Sequence, residues 1–494
     1  MFGALFRLIA AGWTLVRHDA LLPRELTPHL PAAARPVAGL LHLFAGGDAR
    51  RGRPGQRLAR AFERLGPVAI KLGQLLATRA DVFGDAFVAD LSHLRDRLPP
   101  FPVETARAAV ESSLGRPVED VFADFGPPVA AASIAQAHRA TLHDGRRVAV
   151  KVLRPGVEQR VAKDMRAMRL GARLAEVLVP PARRLEPRLF TETVARSLTI
   201  ELDLRLEAAA AGELGEVMAR DPYMRAPEPV WEGVGPRCLT LLWAEGLPLS
   251  DAASLEQAGL DRPALANNVI RGFLAQALDH GAFHADLHEG NLFVAAPDRV
   301  TAIDFGIVGR ISALDRRIFA EVLWGFLRRD YRRVAEVHFE GGYVPATKDV
   351  AAFAQALRAV GEPIFGKDAR EVGMGRLLGQ LFEITALFDM HLRPELVLLQ
   401  KTMVTVEGVA RRIDPAHDIW AAARPVVERY VARELGPVAR VRRAAEEGSR
   451  VLHGLARRGE VPVAPVVVMD RRRDPLAWAA LAVAAAALAV ALLG

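Results

Sequence analysis

The sequence predicts an α+β fold with two lobes, preceded by a helical extension and followed by one membrane-spanning helix. Of the 494 residues, 51% are hydrophobic and only 6% are aromatic, so Ala, Leu and Val supply most of the apolar mass and favour helices. Short alternating runs interrupt the helical pattern near residues 134–152 and 292–303, and a turn signal joins the two runs of each pair. Glu245-Gly246 lies between the two hairpins and is typical of a hinge, which divides the chain into two lobes.

The net charge and the cysteine content limit the classes of binding partner and the redox state of the compartment. The formal net charge of +7 fits an anionic membrane surface, phosphorylated ligands or nucleic acid. The sequence has no zinc-ligand spacing, recognition-helix pattern or aromatic-rich basic stripe, so we expect no nucleic-acid binding. The single Cys238 excludes intrachain disulfides and thiolate metal clusters, and suits a reducing compartment.

Lysine is scarce in this chain, with six lysines against 59 arginines. A chain that uses Arg almost wherever a cation suffices keeps Lys where a compact ammonium is needed. This scarcity marks Lys71 and Lys151 as candidate site residues.

The first segment, residues 1–57, contains two apolar runs with scattered basic residues and ends in a linker rich in Gly and Arg. Arg7 interrupts the first run and no basic stretch precedes it, so we do not expect a cleaved signal peptide. The pattern predicts an amphipathic helix that contacts either a membrane or the protein body.

Residues 58–125 form the predicted helical extension. Gly66-Pro67 begins a helix in which Lys71 and Gln74 lie one turn apart on the same face. Gly73 inside this helix costs roughly 1 kcal/mol relative to Ala, which indicates a close approach to another backbone or a ligand. By itself, Lys71 is more typical of a solvated surface cation.

Residues 126–246 form the predicted first lobe. A strand from Ile134 to Leu142, a turn at residues 143–145 and a strand from Val148 to Val152 form a hairpin that carries Lys151. This arrangement matches the strand whose lysine contacts nucleotide phosphates in protein kinases. The preceding loop is Ala-rich and consists of Ala130, Ala131, Ala132 and Ser133. Protein kinases have glycines at this place, and we expect the methyl groups here to restrict how a triphosphate binds.

An acidic group follows on the long helical stretch of residues 157–220. A phosphate-binding lysine needs a helix glutamate to hold it, and either Glu207 or Glu201 fits that role. The alternative is a solvated acidic helix face that includes Asp203. Beyond it, Glu228 to Trp231 and Cys238 to Trp243 are predicted as two short strands.

Residues 247–440 form the predicted second lobe, and their central feature is the stretch 284–306. Asp286 and Asn291 precede a predicted hairpin, and Asp304-Phe305-Gly306 follows it. Phosphoryl transfer uses this layout, in which one Asp positions the attacking group while an Asn and a second Asp hold Mg²⁺. The alternative is that the three polar residues only cap turns.

The C-terminal part consists of an Arg-rich linker, residues 441–474, and an apolar segment, residues 475–494. Leu476 to Leu493 are 18 consecutive apolar residues, about 27 Å of helix, which just crosses a hydrocarbon core. Arg471 to Arg473 precede this run, so the positive-inside rule keeps the rest of the chain in the cytoplasm, at the cytoplasmic membrane. The alternative is an Ala-rich core helix.

Taken together, these motifs resemble the UbiB family, the aarF-domain atypical kinase-like proteins linked to ubiquinone biosynthesis. The resemblance covers roughly residues 55–440. It rests on the stretches LGPVAIKLGQLLATRADV, PPVAAASIAQAHRA, ELDLRLEA, HADLHEGN, IDFG, RPELVLLQKT and VEGVARRIDP. It implies a protein-kinase-like two-lobed fold with an N-terminal helical extension packed over the active site.

The resemblance also implies ATP and Mg²⁺ as cofactors and assigns roles to individual residues. Lys151 should pair with Glu207 at the phosphates, Asp286 should be the catalytic-loop aspartate, and Asn291 and Asp304 should hold Mg²⁺. Lys71 should meet Glu201, with the rest of the nucleotide site expected at Gln74, Asp203 and the Ala-rich loop formed by Ala130, Ala131, Ala132 and Ser133.

Three positions depart from the family pattern. Leu287 and Glu289 stand where the family usually has prolines, and Leu242 replaces a common hinge glutamate. The sequence also has one clear C-terminal span where the family often has two.

The resulting hypothesis is a Mg²⁺-dependent ATPase or atypical kinase-like protein that supports ubiquinone biosynthesis at the membrane. Its expected partners are membrane lipids, polyprenyl-phenol quinone precursors and other proteins of ubiquinone biosynthesis. The alternatives are a nucleotide-sensing scaffold without turnover and a true protein kinase. Direct hydroxylation of the quinone ring is disfavoured because the sequence has no flavin, haem or clustered metal-ligand motif.

Overall fold

A computed structural model describes the chain over residues 2–29, 35–47, 52–77, 85–91, 94, 99–178, 183, 186–251, 255–256, 258–365, 384, 387–390, 393–434 and 436. The predicted basic linker and the apolar run from Leu476 to Leu493 lie outside these residues. Among the helices that are described, none combines the length and apolarity needed to cross a membrane.

Helices make up most of the described chain, as the composition predicts. In order they are α1 Phe2–Arg17, α2 Arg35–Leu43, α3 Pro54–Leu65, α4 Pro67–Leu76, α5 Asp85–Leu91, α6 Val103–Leu114, α7 Val157–Leu178, α8 Pro187–Glu201, α9 Leu204–Met218, α10 Arg262–Ala275, α11 Ala313–Arg328, α12 Tyr331–Glu340, α13 Val350–Phe365, α14 Pro394–Ile413 and α15 Ile419–Glu434. A π-helical turn, Gln276–His280, continues α10, and four 3₁₀ turns lie at Arg24–His29, Val118–Asp120, Trp231–Gly233 and Glu289–Asn291.

The strands are short and form three sheets within the described residues. They are β1 Phe122–Ala131, β2 Ala135–Leu142, β3 Arg147–Leu153, β4 Cys238–Leu242, β5 Leu247–Pro248, β6 Ala282–His284, β7 Leu292–Ala295, β8 Arg299–Ala302 and β9 Val308–Arg310. The sheet orders are β1-β2-β3-β4, β5-β7-β8 and β6-β9. Pairing within the first sheet is antiparallel throughout, with Lys151 opposite Ala137 on one side and Leu239 on the other.

Both predicted hairpins are confirmed, and one predicted strand is wrong. Strands β2 and β3 meet at the turn of residues 143–146, and β7 pairs with β8 across the predicted turn at Pro297. The stretch from Glu228 to Trp231 forms only an isolated bridge at Pro229 before the 3₁₀ turn, because Pro227 and Pro229 lack the amide hydrogens that a ladder needs.

The chain divides into two compact units, residues 1–261 with 286–308 and residues 262–285 with 309–494. The hairpin β7-β8 and the loops on either side of it therefore belong to the first unit. Hydrogen bonds explain this placement, because the backbone of Arg225 bonds to Val300 and Ala302 while β5 pairs with β7. The predicted lobe boundary at residue 247 thus falls inside the first unit.

The first unit packs helices on both faces of its four-stranded sheet. One face of β3 presents Val148, Val150 and Val152, all fully buried, to a cluster that includes residues of α6. Leu153 and Leu239 join a second cluster with helices α4, α7, α8 and α9. Each fully buried valine stabilises the unit by about 1.5–3 kcal/mol. Because side chains alternate along a strand, burial of these valines on one side of β3 places Lys151 on the other side.

The second unit is a helical assembly in which α10 packs against α14 and α15. Helix α10 is buried along much of its length, including Val269, Ile270 and Phe273. Within the π-helical turn that continues α10, Asp279 is held by the guanidinium groups of Arg429 and Arg433 at 2.6 and 2.8 Å. These ion pairs fix the end of α10 to α15 within this unit.

Candidate functional site

The centre of the candidate site is an ion pair between strand β3 and helix α9. The Nζ of Lys151 lies 2.8 and 2.9 Å from the two carboxylate oxygens of Glu207. Glu207 is near the start of α9, whose first residues are capped by the side chain of Asp203. The structure therefore selects Glu207 over Glu201 as the partner of Lys151, as the family resemblance implies.

A third charged group completes this cluster. The Oδ1 of Asp304 lies 3.5 Å from the Nζ of Lys151, and Asp304 is about half exposed while Glu207 is almost completely buried. Burial opposes the charged ammonium, but the carboxylates of Asp304 and Glu207 outweigh it and raise the pKa of Lys151 above its ordinary value. Lys151 therefore stays protonated and cationic.

Burial shifts the pKa of Glu207 in the opposite direction to its effect on the pKa of Lys151. It raises the pKa of the Glu207 carboxyl above its ordinary value, although the ammonium of Lys151 acts to lower it. The backbone amide of Phe305 also donates to this carboxyl. This bond links the loop of Asp304 to helix α9. The Phe305 side chain is 1% exposed, so the loop is also fixed by the burial of this ring.

The backbone of Asp304 adopts a left-handed conformation, with φ of 62°. Asp and Asn tolerate this region because their short polar side chains bond to nearby backbone, and here the amide of Gly306 donates to Oδ1 of Asp304 at 3.3 Å. The conformation turns the carboxylate towards Lys151 at the end of β8.

The loop that carries Asp286 and Asn291 is closed by its own hydrogen bonds. The backbone carbonyl of Asp286 accepts from the amide of His288 and from the side-chain Nδ2 of Asn291, both at 3.0 Å. The Asn291 amide group is thereby oriented, and Asn291 is buried. The side chain of Asn291 thus bonds the backbone of its own loop, as the capping alternative predicts, so the metal-binding role of Asn291 stays a prediction.

Sequence reasoning missed His288. Its Nε2 lies 3.7 Å from Oδ2 of Asp286, and its Nδ1 accepts a hydrogen bond from the amide of Gly290 at 3.0 Å. The position was visible in the stretch HADLHEGN, where this second histidine is two residues from the aspartate. His288 thus faces the carboxylate of Asp286 and is fixed on its other side.

The Ala-rich segment is a tight turn rather than an open loop. Ala130 and Ala131 are the last residues of β1 and pair with Ala137 and Gln136 of β2. The amide of Ala132 donates to the carbonyl of Ala135 at 2.8 Å, and Ser133 is buried at the turn. Since the Ala132 amide is already bonded, this turn differs from a glycine-rich loop whose free amides cradle phosphate.

A buried network next to this turn was also missed. Gln136 exchanges two hydrogen bonds with the backbone of Phe101 and donates a third to Nε2 of His138, at 2.8 Å. His138 donates from Nδ1 to the carbonyl of Gly126 and stacks on Phe125. Accepting at Nε2 requires a neutral imidazole, and burial lowers the pKa of His138 below its ordinary value accordingly.

The second charged pair of the site joins the helical extension to the lobe. The ammonium of Lys71 on α4 bonds to the carboxylate of Glu201 at the end of α8. Lys71 is 7% exposed, so it is not the solvated cation that its helix pattern alone suggests. Gln74 lies one turn further along the same helix and is half-buried.

One prediction about this region is wrong, and the place of Asp203 in the nucleotide site stays a prediction. Gly73 is required by packing against side chains, since a Cβ there would lie 2.3 Å from Leu94 and 2.7 Å from Phe62, and neither is a ligand or a backbone. Asp203 accepts from the amide of Arg205 and pairs with its guanidinium at 2.7 and 2.9 Å. Its observed role is to cap α9.

The chemistry of these groups fits a magnesium nucleotide. A protonated lysine held between two carboxylates suits phosphate oxygens, and a half-exposed carboxylate and an oriented side-chain amide both offer the oxygen ligands that Mg²⁺ prefers. Asp304 and Asn291 are the residues that would hold the metal, and Lys151 the one that would contact phosphate.

Comparison with known proteins decides the family. Residues 93–338 match the model of the ABC1 atypical kinase-like domain, and residues 357–418 match the UbiB helical domain. A relative from Marinobacter nauticus, named Probable protein kinase UbiB, is 39% identical over 440 residues, covering 88% of this chain and 80% of its own. The chain belongs to the UbiB family.

Further matches agree with this membership. A UbiB relative from Xylella fastidiosa, also named Probable protein kinase UbiB, is 37% identical over 443 residues with the same coverage. Among solved structures, the complex of Rv3197 with erythromycin from Mycobacterium tuberculosis matches with a TM-score of 0.53 at 22% identity, covering 72% of this chain and 90% of that one. This likeness supports the kinase-like fold, mixed in helix and sheet.

Proposed function

We propose that this UbiB-family protein is a Mg²⁺-dependent ATPase of the atypical kinase type that supports ubiquinone biosynthesis at the cytoplasmic face of the membrane. The observation that carries the proposal is the cluster of Lys151 between Glu207 and Asp304. Asp286 and Asn291 lie in the same compact unit, which supports a shared role of these residues in phosphoryl transfer.

Each residue has a defined task in this proposal. Glu207 holds Lys151 in place, and the permanent charge of Lys151 favours phosphate binding. Asp286 orients the attacking hydroxyl or water, with His288 facing its carboxylate. Bound Mg²⁺ would supply charge neutralisation at the phosphates, and the loop bonds of Asn291 and Asp304 keep both side chains ready for it.

Two features favour hydrolysis or a small client over phosphorylation of other proteins. The amide of Ala132 is bonded within its turn, so fewer free amides are available for the phosphates than in a glycine-rich loop. Helix α4 is fixed by Lys71 and Glu201 and packs through Val68 into the same hydrophobic cluster as Ala135, directly after that turn. The helical extension thus occupies space beside the turn.

The proposed setting and partners follow from family membership and from the sequence. The clients are polyprenyl-phenol quinone precursors or other proteins of ubiquinone biosynthesis, and lipids are the surface on which they are handled. The apolar run from Leu476 to Leu493 serves as the anchor.

The test is phosphate release from ATP by the full chain, with and without anionic vesicles and a phenolic quinone precursor. Asp286→Asn should abolish the release while preserving the fold, because Asn has the same shape. Asp124→Asn, at an exposed position of the same unit, is the matched control and should keep full activity. Nucleotide binding without release under every condition would refute the ATPase and favour a nucleotide-sensing scaffold.

A further inference from the structure

Helix α1 exposes a row of large apolar side chains. Phe2, Leu5, Phe6, Ile9 and Trp13 are between 44% and 89% exposed. At the angular spacing of an α-helix, these positions fall within an arc of about 100° on one side. Such a continuous exposed apolar row is uncommon on a soluble surface and marks an interaction site.

The opposite side of α1 is fixed to the protein. Arg7 pairs with Asp164 of helix α7, and Leu8 packs against Gly171 of the same helix. Val16, near the end of α1, falls within the arc of the exposed row but is 7% exposed, so the row ends at Trp13. The predicted choice between a membrane and the protein body is therefore resolved for one face of the helix, and it leaves the other face uncovered within the described residues.

Helix α2 and the residues that follow it extend the exposed row. Leu40, Leu43 and Phe44 are each at least half exposed. The rings of Trp13 and Phe44 lie 5.6 Å apart between centroids, so the apolar residues of the two helices form one continuous surface. We call this surface the N-terminal apolar face.

The charges around this face are positive. Neither α1 nor α2 contains an acidic residue, and residues 1–57 contain eight arginines against three acidic residues. Arg17, Arg24 and Arg35 are exposed on these helices and the turn between them. An apolar face with aromatic residues and a cationic surround is the pattern of helices that lie in the headgroup region of an anionic bilayer.

We propose that the N-terminal apolar face docks onto an anionic lipid bilayer, with the rings of Phe2, Phe6 and Trp13 in the headgroup region. The cationic surround favours anionic lipid over a protein partner, and the inference rests on the membrane setting proposed above for the chain. The inference does not depend on the nucleotide chemistry proposed above.

The experiment places an environment-sensitive nitrobenzoxadiazole label at Ile9→Cys in the full chain, reconstituted at one copy per phosphatidylglycerol-containing nanodisc. The native Cys238 is fully buried, so the unsubstituted chain sets the labelling background. We expect a blue-shifted emission that lipids carrying a doxyl spin label near the headgroup quench several-fold. Adding Phe6→Glu should abolish this quenching, and an unchanged melting temperature would show that the exposed substitution leaves the fold intact.

Trp231→Cys is the matched control, because Trp231 is 59% exposed against 63% for Ile9 but lies outside the N-terminal apolar face. Equal lipid quenching at both labels, or none at residue 9, would overturn the proposal. Shielding of residue 9 from aqueous iodide without lipid quenching would also overturn it, since a second copy or the C-terminal segment would then cover the face. Quenching that does not weaken in phosphatidylcholine discs would refute the role given to the arginines.

Discussion

The ion pair between Lys71 and Glu201 allows a quantitative test of how the helical extension is held. Replacing Lys71 with Met keeps an unbranched side chain that is one atom shorter, and it leaves Glu201 without its ammonium partner. Breaking a fully buried pair costs about 3–5 kcal/mol. The Glu201 side chain keeps 18% of its exposure and can recruit water, so we expect a smaller loss, about 2–4 kcal/mol.

A surface pair between neighbouring helices provides the matched control. Arg169 of α7 and Glu192 of α8 form a bidentate pair at 2.8 and 3.0 Å, but their side chains are 44% and 48% exposed. Solvent screens such a pair, so Arg169→Met should cost less than about 1 kcal/mol. The contrast isolates the effect of burial, because both substitutions remove one cation from an ion pair with Glu.

Hydrogen–deuterium exchange of peptides from α4 and α8 measures the local free energy of opening and does not assume two-state unfolding of the whole chain. Lys71→Met should accelerate exchange in both helices, and adding Glu201→Met should restore much of the protection by removing the unpaired carboxylate. If Lys71→Met has no larger effect than Arg169→Met, or if the double variant shows the sum of two losses, the reasoning is refuted.

Three further outcomes follow from single positions. Asp304→Asn retains the left-handed backbone but loses the metal-binding charge. Nucleotide titrations with Mg²⁺ should therefore show an affinity lowered at least about tenfold. An unchanged affinity would contradict the assignment of Asp304 as a metal ligand. Gly246 has a φ of 121°, and the Cβ of Gly246→Ala would lie 2.4 Å from the carbonyl oxygen of Val294. Thermal melting should therefore show that the free energy of unfolding falls by more than about 2 kcal/mol. An unchanged melting temperature would exclude this contact. Because His138 has a lowered pKa when folded, the unfolded chain binds the extra proton below its ordinary pKa of 6.5, and stability should fall as the pH drops from about 7 towards 5. His138→Gln should flatten this dependence in melting curves, since Gln does not titrate, and an equally steep curve would assign it to other groups.

The hairpins and their charged residues could be predicted because local signals specify them. Asp144-Gly145 is a turn signal between alternating runs, and the alternation alone places Lys151 on the face opposite Val150 and Val152. The same alternation cannot state what Lys151 meets. That depends on a helix residue 56 positions away in the sequence.

The choice between Glu201 and Glu207 shows where spacing stops being informative. A continuous helix through both residues would keep their relative orientation fixed. Instead, α8 ends at Glu201 and α9 begins at Leu204 with Asp203 as its cap, so the two glutamates belong to different helices. Each then meets a different lysine, a result that the family resemblance implied and the spacing alone left open.

Tertiary contacts account for what the sequence pattern did not reveal. The network of Gln136, His138 and the Phe101 backbone joins segments 35 residues apart, and the alternating pattern of β2 does not indicate which backbone these side chains meet. Strands β6 and β9 have three residues each, too few for any alternation to register.

Because the chain has so few lysines, acylation of individual lysines can report on the two ion pairs. Acylating reagents attack the neutral amine, and Lys151 is held protonated by its two carboxylates while Lys71 is shielded by burial. Lys163 and Lys401 are exposed and should react first. The order in which mass spectrometry detects acylated lysines therefore reports, in a single time course, whether both ion pairs are closed in a given preparation.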